Sequence, residues 1–236
     1  MKLYIVATPI GNLADMTLRA ITVLNSVDLI AAEDTRVTAK LLEHYNIRKE
    51  LISYHQHSGH SVIERIVGFL KQNKDVALVS DAGTPGINDP GNFLIQEALK
   101  EIPELVVVPI PGANAAVAAL SISGFPTDTF TYLGFPPHKK GRQTFFRNIG
   151  AVAHTVVLYE SKFRIQKTLE SLAPLGRRLV VCRELTKQFE TIYRGTAGEI
   201  LSQLHDKNLL GEFVVVIGPQ RRIKQDIGQN DNNEEE

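Results

Sequence analysis

The sequence predicts an α/β protein of two domains, each a sheet flanked by helices. Short apolar, β-branched runs recur along the chain, and amphipathic helical stretches lie between several of them. That alternation is the pattern of sheets covered by helices. Near the middle, "SISGFP" (121–126) supplies Gly124 and Pro126 as breakers. The charge balance also reverses there: residues 1–124 hold 10 Lys and Arg against 13 acids, and residues 125–225 hold 16 against 8. The expected division is an N-terminal α/β domain over 1–122, a C-terminal α/β domain over 123–220, and a polar acidic tail over 221–236.

In chain order the strands are "LYIVA" from Leu3, "DLIAA" from Asp28, "VALVS" from Val76, "LVVVP" from Leu105, "TYLGF" from Thr131, "TVVLY" from Thr155, "LVVCR" from Leu179 and "FVVVI" from Phe213. Their near-continuous apolar character predicts strands buried on both faces. The helix "TLRAITVLNS" is expected to turn Leu18, Ile21 and Leu24 to the core. "SVIERIVGFLK" does so with Ile63, Ile66, Val67 and Leu70, and "FRIQKTLESLA" with Ile165, Leu169 and Leu172. A small-residue helix, "ANAAVAALSI", precedes the boundary.

Composition fits a soluble globular chain, with 43% apolar and 22% charged residues and a net charge of zero. The single cysteine, Cys182, excludes an intramolecular disulfide and reads as a buried strand residue. No run reaches the roughly 18 apolar residues of a membrane span, and the start "MKLYIVATPIGN" is broken by Pro9 and Gly11. A cytoplasmic location without a membrane partner is expected. The tail "DIGQNDNNEEE" is expected to be disordered.

Ligands of α/β sheets collect at the carboxyl ends of strands, and four such ends carry unusual loops. The first is "ATPIGN", with Thr8, Pro9, Gly11 and Asn12. The second, "AEDTR", sets Glu33, Asp34 and Arg36 straight after a strand. The third, "VSDAGTPGINDPG", combines Asp81 and Asp89 with Gly83, Pro85, Gly86, Pro90 and Gly91. The fourth is "PIPGANAA" from Pro109. Each alone is ordinary turn chemistry: Glu33, Asp34 and Arg36 also read as a solvated ion-pair cluster, and Asp81 as a cap. Four together point to a shared cleft. Neither G-x-G-x-x-G nor G-x-x-x-x-G-K-[ST] is present, so dinucleotide and P-loop sites are unsupported. His55, His57 and His60 lack the Cys or spaced acid that would complete a metal set.

Taken in order, "ATPIGNLAD", "AAEDTR", "LVSDAGTPGINDPG", "PIPGANAA", "GF…FPP…GR", "YES…R", "RELTK…E" and "GE…VVVIGP" span nearly the whole chain. In these motifs the chain resembles the tetrapyrrole methylase superfamily, and within it the branch acting on small-subunit ribosomal RNA. The resemblance implies two α/β domains, a homodimer, and S-adenosylmethionine held in the interdomain cleft. The implied activity is 2′-O-methylation of a cytidine in the decoding region of 16S rRNA, on naked RNA or the 30S subunit. Two departures stand out. The fourth loop has Ala113 and Asn114 where Pro and Ser are common, and after Pro219 only "QRRIKQ" and the acidic tail follow, where relatives often carry a basic helical segment that contacts RNA.

Under this resemblance Asp81 would offset positive charge on the cosubstrate. The amides of Ala82, Gly83 and Thr84 would hold its polar atoms. Pro9, Pro111, Gly112 and Ala113 would shape the wall, and Leu133, Tyr159 and Leu185 would lie against the adenine. A ribose hydroxyl needs a base or charge stabiliser. Glu33, Asp34, Glu184, Lys187 and Glu190 are the candidates, and the last three would share a face if "RELTKQFE" were helical; a structural ion pair is the alternative. Arg36, Lys139, Lys140, Arg142, Arg147, Lys162 and Arg164, with Arg177 and Arg178, are candidates for phosphate contacts, or else a solvated basic surface. A methylase of a tetrapyrrole or other small molecule, and a non-catalytic RNA-binding assembly factor, remain competing functions.

Overall fold

The runs of the first half become parallel strands, and that parallelism positions the site. The computed structural model describes residues 1–205 and 209–220, so the expected tail over 221–236 lies outside the described residues. The first half runs β1 (Lys2–Val6), α1 (Leu18–Ser26), β2 (Leu29–Ala32), α2 (Thr35–His44), β3 (Glu50–Ser53), α3 (His60–Lys71), β4 (Val76–Val79), α4 (Gly91–Glu101) and β5 (Val106–Ile110). Its sheet has the order β3-β2-β4-β1-β5, every pair parallel. On one face α3 buries Ile63, Ile66, Val67 and Leu70 beside Leu94 and Ala98 of α4. On the other, α1 and α2 pack through Ala20, Val23, Leu24 and Leu42. Because the strands are parallel, the loops after β1, β2, β4 and β5 all leave one edge.

The face expected for α1 is corrected. Leu18 is 84% exposed, and the buried residues are Ala20, Val23 and Leu24. Thr17 caps the helix through its hydroxyl, which accepts from the Ala20 amide at 3.1 Å. That cap makes Leu18 the first helical residue and turns it away from the sheet.

The second half runs α5 (Ala115–Ser121), β6 (Phe130–Tyr132), α6 (Arg142–Ala151), β7 (Thr155–Ser161), α7 (Ile165–Leu172), β8 (Leu179–Arg183), β9 (Thr191–Gly195), α8 (Ala197–Gln203) and β10 (Glu212–Ile217). The sheet order is β6-β7-β10-β8-β9, with β6 parallel to β7 and the other pairs antiparallel. One face carries α6, α7 and α8, including the buried Ile165, Leu169 and Leu172. The other face receives α5, whose Ala116, Ala119 and Leu120 meet Val157, Val180, Cys182 and Val214. Small residues let this helix approach closely, so α5 joins the halves. Cys182 is buried there, and its thiol is pushed up to about 12 by that burial.

A second joint lies at Gly11. A Cβ placed on it would stand 2.4 Å from Cγ of Lys187. The first loop therefore approaches the "RELTK" turn so closely that only glycine fits. Among the described residues no helix is long and apolar enough to cross a membrane.

Candidate functional site

The four strand-end loops are tied into one rim. Thr8 and Gly83 exchange backbone hydrogen bonds of 2.9 and 3.0 Å, and the Thr8 hydroxyl donates to the Ser80 carbonyl at 3.0 Å. Gly83 adopts φ 88°, a left-handed conformation that favours glycine. The Thr84 hydroxyl donates to the Ala113 carbonyl at 3.1 Å. The Asp34 amide donates to Oδ1 of Asp81 at 2.9 Å, and the Asp81 amide to Oε2 of Glu33 at 3.4 Å. Asn114 caps α5, and the Tyr159 hydroxyl from the second half accepts from the Ala116 amide at 3.1 Å.

Between this rim and the second sheet lies a cavity of about 630 Å³. The first half lines it with Ile10, Glu33, Asp81 to Thr84, Ile87 to Asp89 and Asn114, and α5 adds Ala115. The second half contributes Phe135, Tyr159 to Phe163, Cys182, Glu184, Leu185, Lys187 and Gly211 to Val214. One wall thus presents three carboxylates. Burial, then the charge of Glu33, and less so that of Asp81, push Asp89 up to about 6. Partial burial, then repulsion from Asp34, raises Asp81 as well.

The opposite wall is organised by Glu160, only 1% exposed. Its carboxylate accepts from the Thr168 hydroxyl at 2.5 Å and the Ser161 amide at 2.8 Å. It pairs with Arg164 at 2.9 Å and lies 3.8 Å from Arg142. Those arginines in turn donate to the carbonyls of Pro136 and Pro137. Glu160 therefore ties the segment bearing Lys139 and Lys140 to the turn bearing Lys162 and Phe163.

Of the residues expected to hold the cosubstrate, Asp81, Ala82, Gly83, Thr84, Tyr159 and Leu185 line the cavity; Pro9, Pro111, Gly112, Ala113 and Leu133 do not. Gly112 instead packs on β1, where a Cβ would meet that of Ala7 at 2.8 Å. Leu133 turns to the helical side of the second sheet, because side chains alternate along a strand and its neighbour Tyr132 takes the cleft side.

Of the acid–base candidates, Glu33, Glu184 and Lys187 line the cavity, whereas Asp34 and Glu190 do not. Arg36 grips Asp34 with bonds of 2.6 and 3.0 Å and holds its carboxyl down to about 2. The shared helical face for Glu184, Lys187 and Glu190 is corrected. Glu184 and Thr186 have φ of 51° and 66°, and the segment is a turn. Lys187 bonds Glu184 at 3.0 Å and Glu212 at 2.8 Å, while Glu190 accepts from the Thr186 amide at 2.7 Å. Although desolvation opposes it, the Glu212 amide and Lys187 hold Glu184 below the usual carboxylate range.

Among the basic candidates, Arg36, Lys139, Lys140, Arg147 and Lys162 are exposed. Lys139 and Arg147 also border a second depression beside α6. Arg142 and Arg164 are turned inward to Glu160. Arg177 is buried, donating to the carbonyls of Gly218, Ile149, Val152 and His154. Arg178 pairs with Glu199 at 3.5 Å. Among the described residues no group of three or more His, Cys, Asp or Glu is arranged to hold a metal.

Sequence reasoning left Asp89, Glu160, Phe135 and Phe163 without a role. The "INDPG", "YES…R" and "FPP" motifs already carried Asp89, Glu160 and Phe135, whereas nothing in the spacing marked Phe163.

Residues 2–201 match the family model of tetrapyrrole (corrin/porphyrin) methylases. A protein of Halalkalibacterium halodurans named ribosomal RNA small subunit methyltransferase I is 47% identical over 218 residues, covering 91% of this chain and 75% of the relative. A protein of the same name from Escherichia coli O157:H7 is 45% identical over 232 residues, covering 96% and 80%. Among solved structures, a cobalt precorrin-4 methyltransferase of cobalamin biosynthesis superposes with a TM-score of 0.67 at 17% identity, covering 92% of this chain and 94% of its own. That last likeness concerns the fold alone.

Proposed function

The chain belongs to the tetrapyrrole (corrin/porphyrin) methylase family, and from that premise we propose that it transfers the methyl group of S-adenosylmethionine to small-subunit (16S) ribosomal RNA. The acceptor in this reading is the ribose 2′-hydroxyl of a cytidine in the decoding region. The observation that carries the reading is the make-up of the cleft, in which Glu33, Asp81 and Asp89 face a wall of Phe135, Tyr159 and Phe163 that also bears Glu160, Glu184 and Glu212 beside Lys162 and Lys187. The relatives' shared name supports the RNA substrate.

The lining fits a sulfonium cosubstrate. Its volume lies within the range of small-molecule sites. Tyr159, Leu185 and Val214 offer an apolar surface for a purine. Asp81 and the amides of Ala82 to Thr84 offer partners for the ribose or the amino-acid end. Bound there, S-adenosylmethionine supplies an electrophilic methyl group. The protein's residues align the acceptor and exclude water, and alignment carries much of the rate of a direct displacement. Asp89 lines the same cavity, and in this reading it takes the proton of the attacking hydroxyl. Its carboxyl at about 6 is ionised at neutral pH yet more basic than an ordinary aspartate. Asp34 and Glu184, held low by their partners, are weaker bases.

The working unit in this reading is a homodimer. Support comes from the edge strands: β5 exposes Val106, β6 exposes Phe130 and β9 exposes Ile192. Light scattering at micromolar concentration is expected to give twice the chain mass. The test of function is radiolabelled methyl transfer to 30S subunits, naked 16S rRNA and a tetrapyrrole in parallel. Label is expected in RNA, at a linkage that resists alkali because the 2′-oxygen is blocked. Label in the tetrapyrrole alone would overturn the reading.

A further inference from the structure

Phe163 is 82% exposed, and it stands on the lip of the cleft. An exposed aromatic ring beside a site offers a π-face on which a planar group can stack. Its neighbour Lys162 also lines the cleft, with the ammonium 5.0 Å from the ring centroid. Deeper on the same wall is Phe135, 47% exposed, edge-on to Tyr159 with centroids 5.6 Å apart. The turn carrying Lys162 and Phe163 is anchored at both ends. The Ser161 amide donates to Glu160, and Arg164 pairs with it. The ring is thus presented from a fixed base.

We infer that Phe163 is a stacking platform for an unpaired RNA base at the mouth of the cleft, with Lys162 taking the adjoining phosphate. This rests on the reading of the protein as an rRNA methyltransferase. A ribose inside a continuous RNA helix cannot descend into a cavity between two sheets, so the acceptor nucleotide must leave its stack. Leaving forfeits base–base stacking, and an aromatic side chain beside the cavity restores a stacking partner. Every base has a π-face, so the ring is indifferent to sequence, and the lysine supplies the charge complementary to phosphate. The exposed Lys139 and Lys140 lie on the neighbouring segment that Arg142 and Arg164 tie to the same Glu160. Strand-tracking charge and the stacking ring therefore share one support.

The test compares Phe163→Ala, Phe163→Leu and Phe163→Trp with the wild-type full chain, using 30S subunits and S-adenosylmethionine. Phe163→Ala is expected to lower kcat/KM for subunits by about 5- to 150-fold, the span of a lost base–aromatic stack. Phe163→Leu stays nearly as poor, because it restores apolar area without a π-face, and Phe163→Trp recovers wild-type efficiency. Calorimetric affinity for S-adenosylmethionine, melting temperature and mass in solution are expected to stay unchanged in all three. Lys162→Gln is expected to reduce the slope of log affinity against log salt by about one.

Wild-type efficiency in Phe163→Leu or Phe163→Ala would overturn the stacking role. So would a fall in S-adenosylmethionine affinity, which would make the ring a cofactor contact, or dissociation of the oligomer, which would make it an interface residue. A wild-type protein that methylates neither 30S subunits nor 16S rRNA would instead overturn the functional reading beneath the proposal.

Discussion

Asp89 sits where burial, with Glu33 and Asp81 facing the same space, disfavours its charge and pushes its carboxyl up to about 6. A carboxyl raised on folding holds its proton more tightly native than unfolded. Its stabilising contribution is full below about pH 4 and is lost as the pH rises through about 6. Asp89→Asn should therefore melt above wild type at pH 8 and no higher at pH 3.5. If the carboxylate takes the hydroxyl proton, the wild-type rate rises with pH up to about 6 and then levels. Asp89→Asn should then lose about 10²- to 10⁴-fold in methyl transfer; a variant as fast as wild type would remove Asp89 from the chemistry. Asp81 needs a different comparison, because its Oδ1 braces the Asp34 amide. Asp81→Asn keeps an oxygen for that brace and drops the charge. Its affinity for S-adenosylmethionine should fall by about 1.5–3 kcal/mol with the melting temperature unchanged. The opposite pattern in calorimetry and melting would make Asp81 a loop brace alone. At this scale the sequence was legible where parallel strands deliver their loops to one edge, as for Glu33 and Asp81 to Thr84. It misled where three-residue spacing in "RELTKQFE" suggested a helix, since left-handed Glu184 and Thr186 wind the segment into a turn.

Among the elements, the turn between β7 and α7 depends most on a single side chain. Glu160 is nearly inaccessible and answers two guanidinium groups, a hydroxyl and an amide. Removing one partner of a buried pair leaves the other charge desolvated and uncompensated, at a cost of about 3–5 kcal/mol. Glu160→Ala should lose stability of that order in urea unfolding. A loss under about 1 kcal/mol, the level of an exposed ion pair, would show that water reaches the cluster and that it is no anchor. The long buried strands were readable as elements because every residue in runs such as "VALV" or "FVVVI" is apolar. Strands β3 and β9 were not, and both are edge strands. "ELIS" has two apolar residues out of four, and "TIYRG" leaves Ile192 and Arg194 on its exposed side. An edge strand needs no continuous apolar run, so backbone pairing to its neighbour defines it more than composition does. The register of α1 was lost for a similar reason: the Thr17 cap, not the leucines, sets where its first turn begins.

For the whole molecule, the reversal of charge between halves is the feature with the longest reach. A net charge of zero conceals an acidic first half and a basic second half; the cleft itself carries carboxylates from both halves, and the exposed Lys139 and Lys140 of the second half stand outside its lining. That arrangement suits a cationic cosubstrate within the cleft and a polyanion along the basic surface outside it. Part of the basic charge is structural, a fact hidden from sequence: Arg177 satisfies four backbone carbonyls, and Arg142 and Arg164 answer Glu160. The test of RNA attraction must leave these three unchanged, since replacing them would perturb the fold. Lys139 and Lys140 are exposed and outside the cleft lining, so Lys139→Ala with Lys140→Ala removes charge without removing support. Each phosphate contact adds about 0.7–0.9 to the slope of log affinity against log salt. The double variant should flatten that slope by about 1–2 and weaken binding to 16S rRNA most at low salt. Its affinity for S-adenosylmethionine and its melting temperature should match wild type. An unchanged slope would place the RNA path elsewhere on the second half, with Arg147 on α6 the next position to vary. A lost cosubstrate affinity would mean that the segment from Lys139 to Arg142 supports the cleft itself.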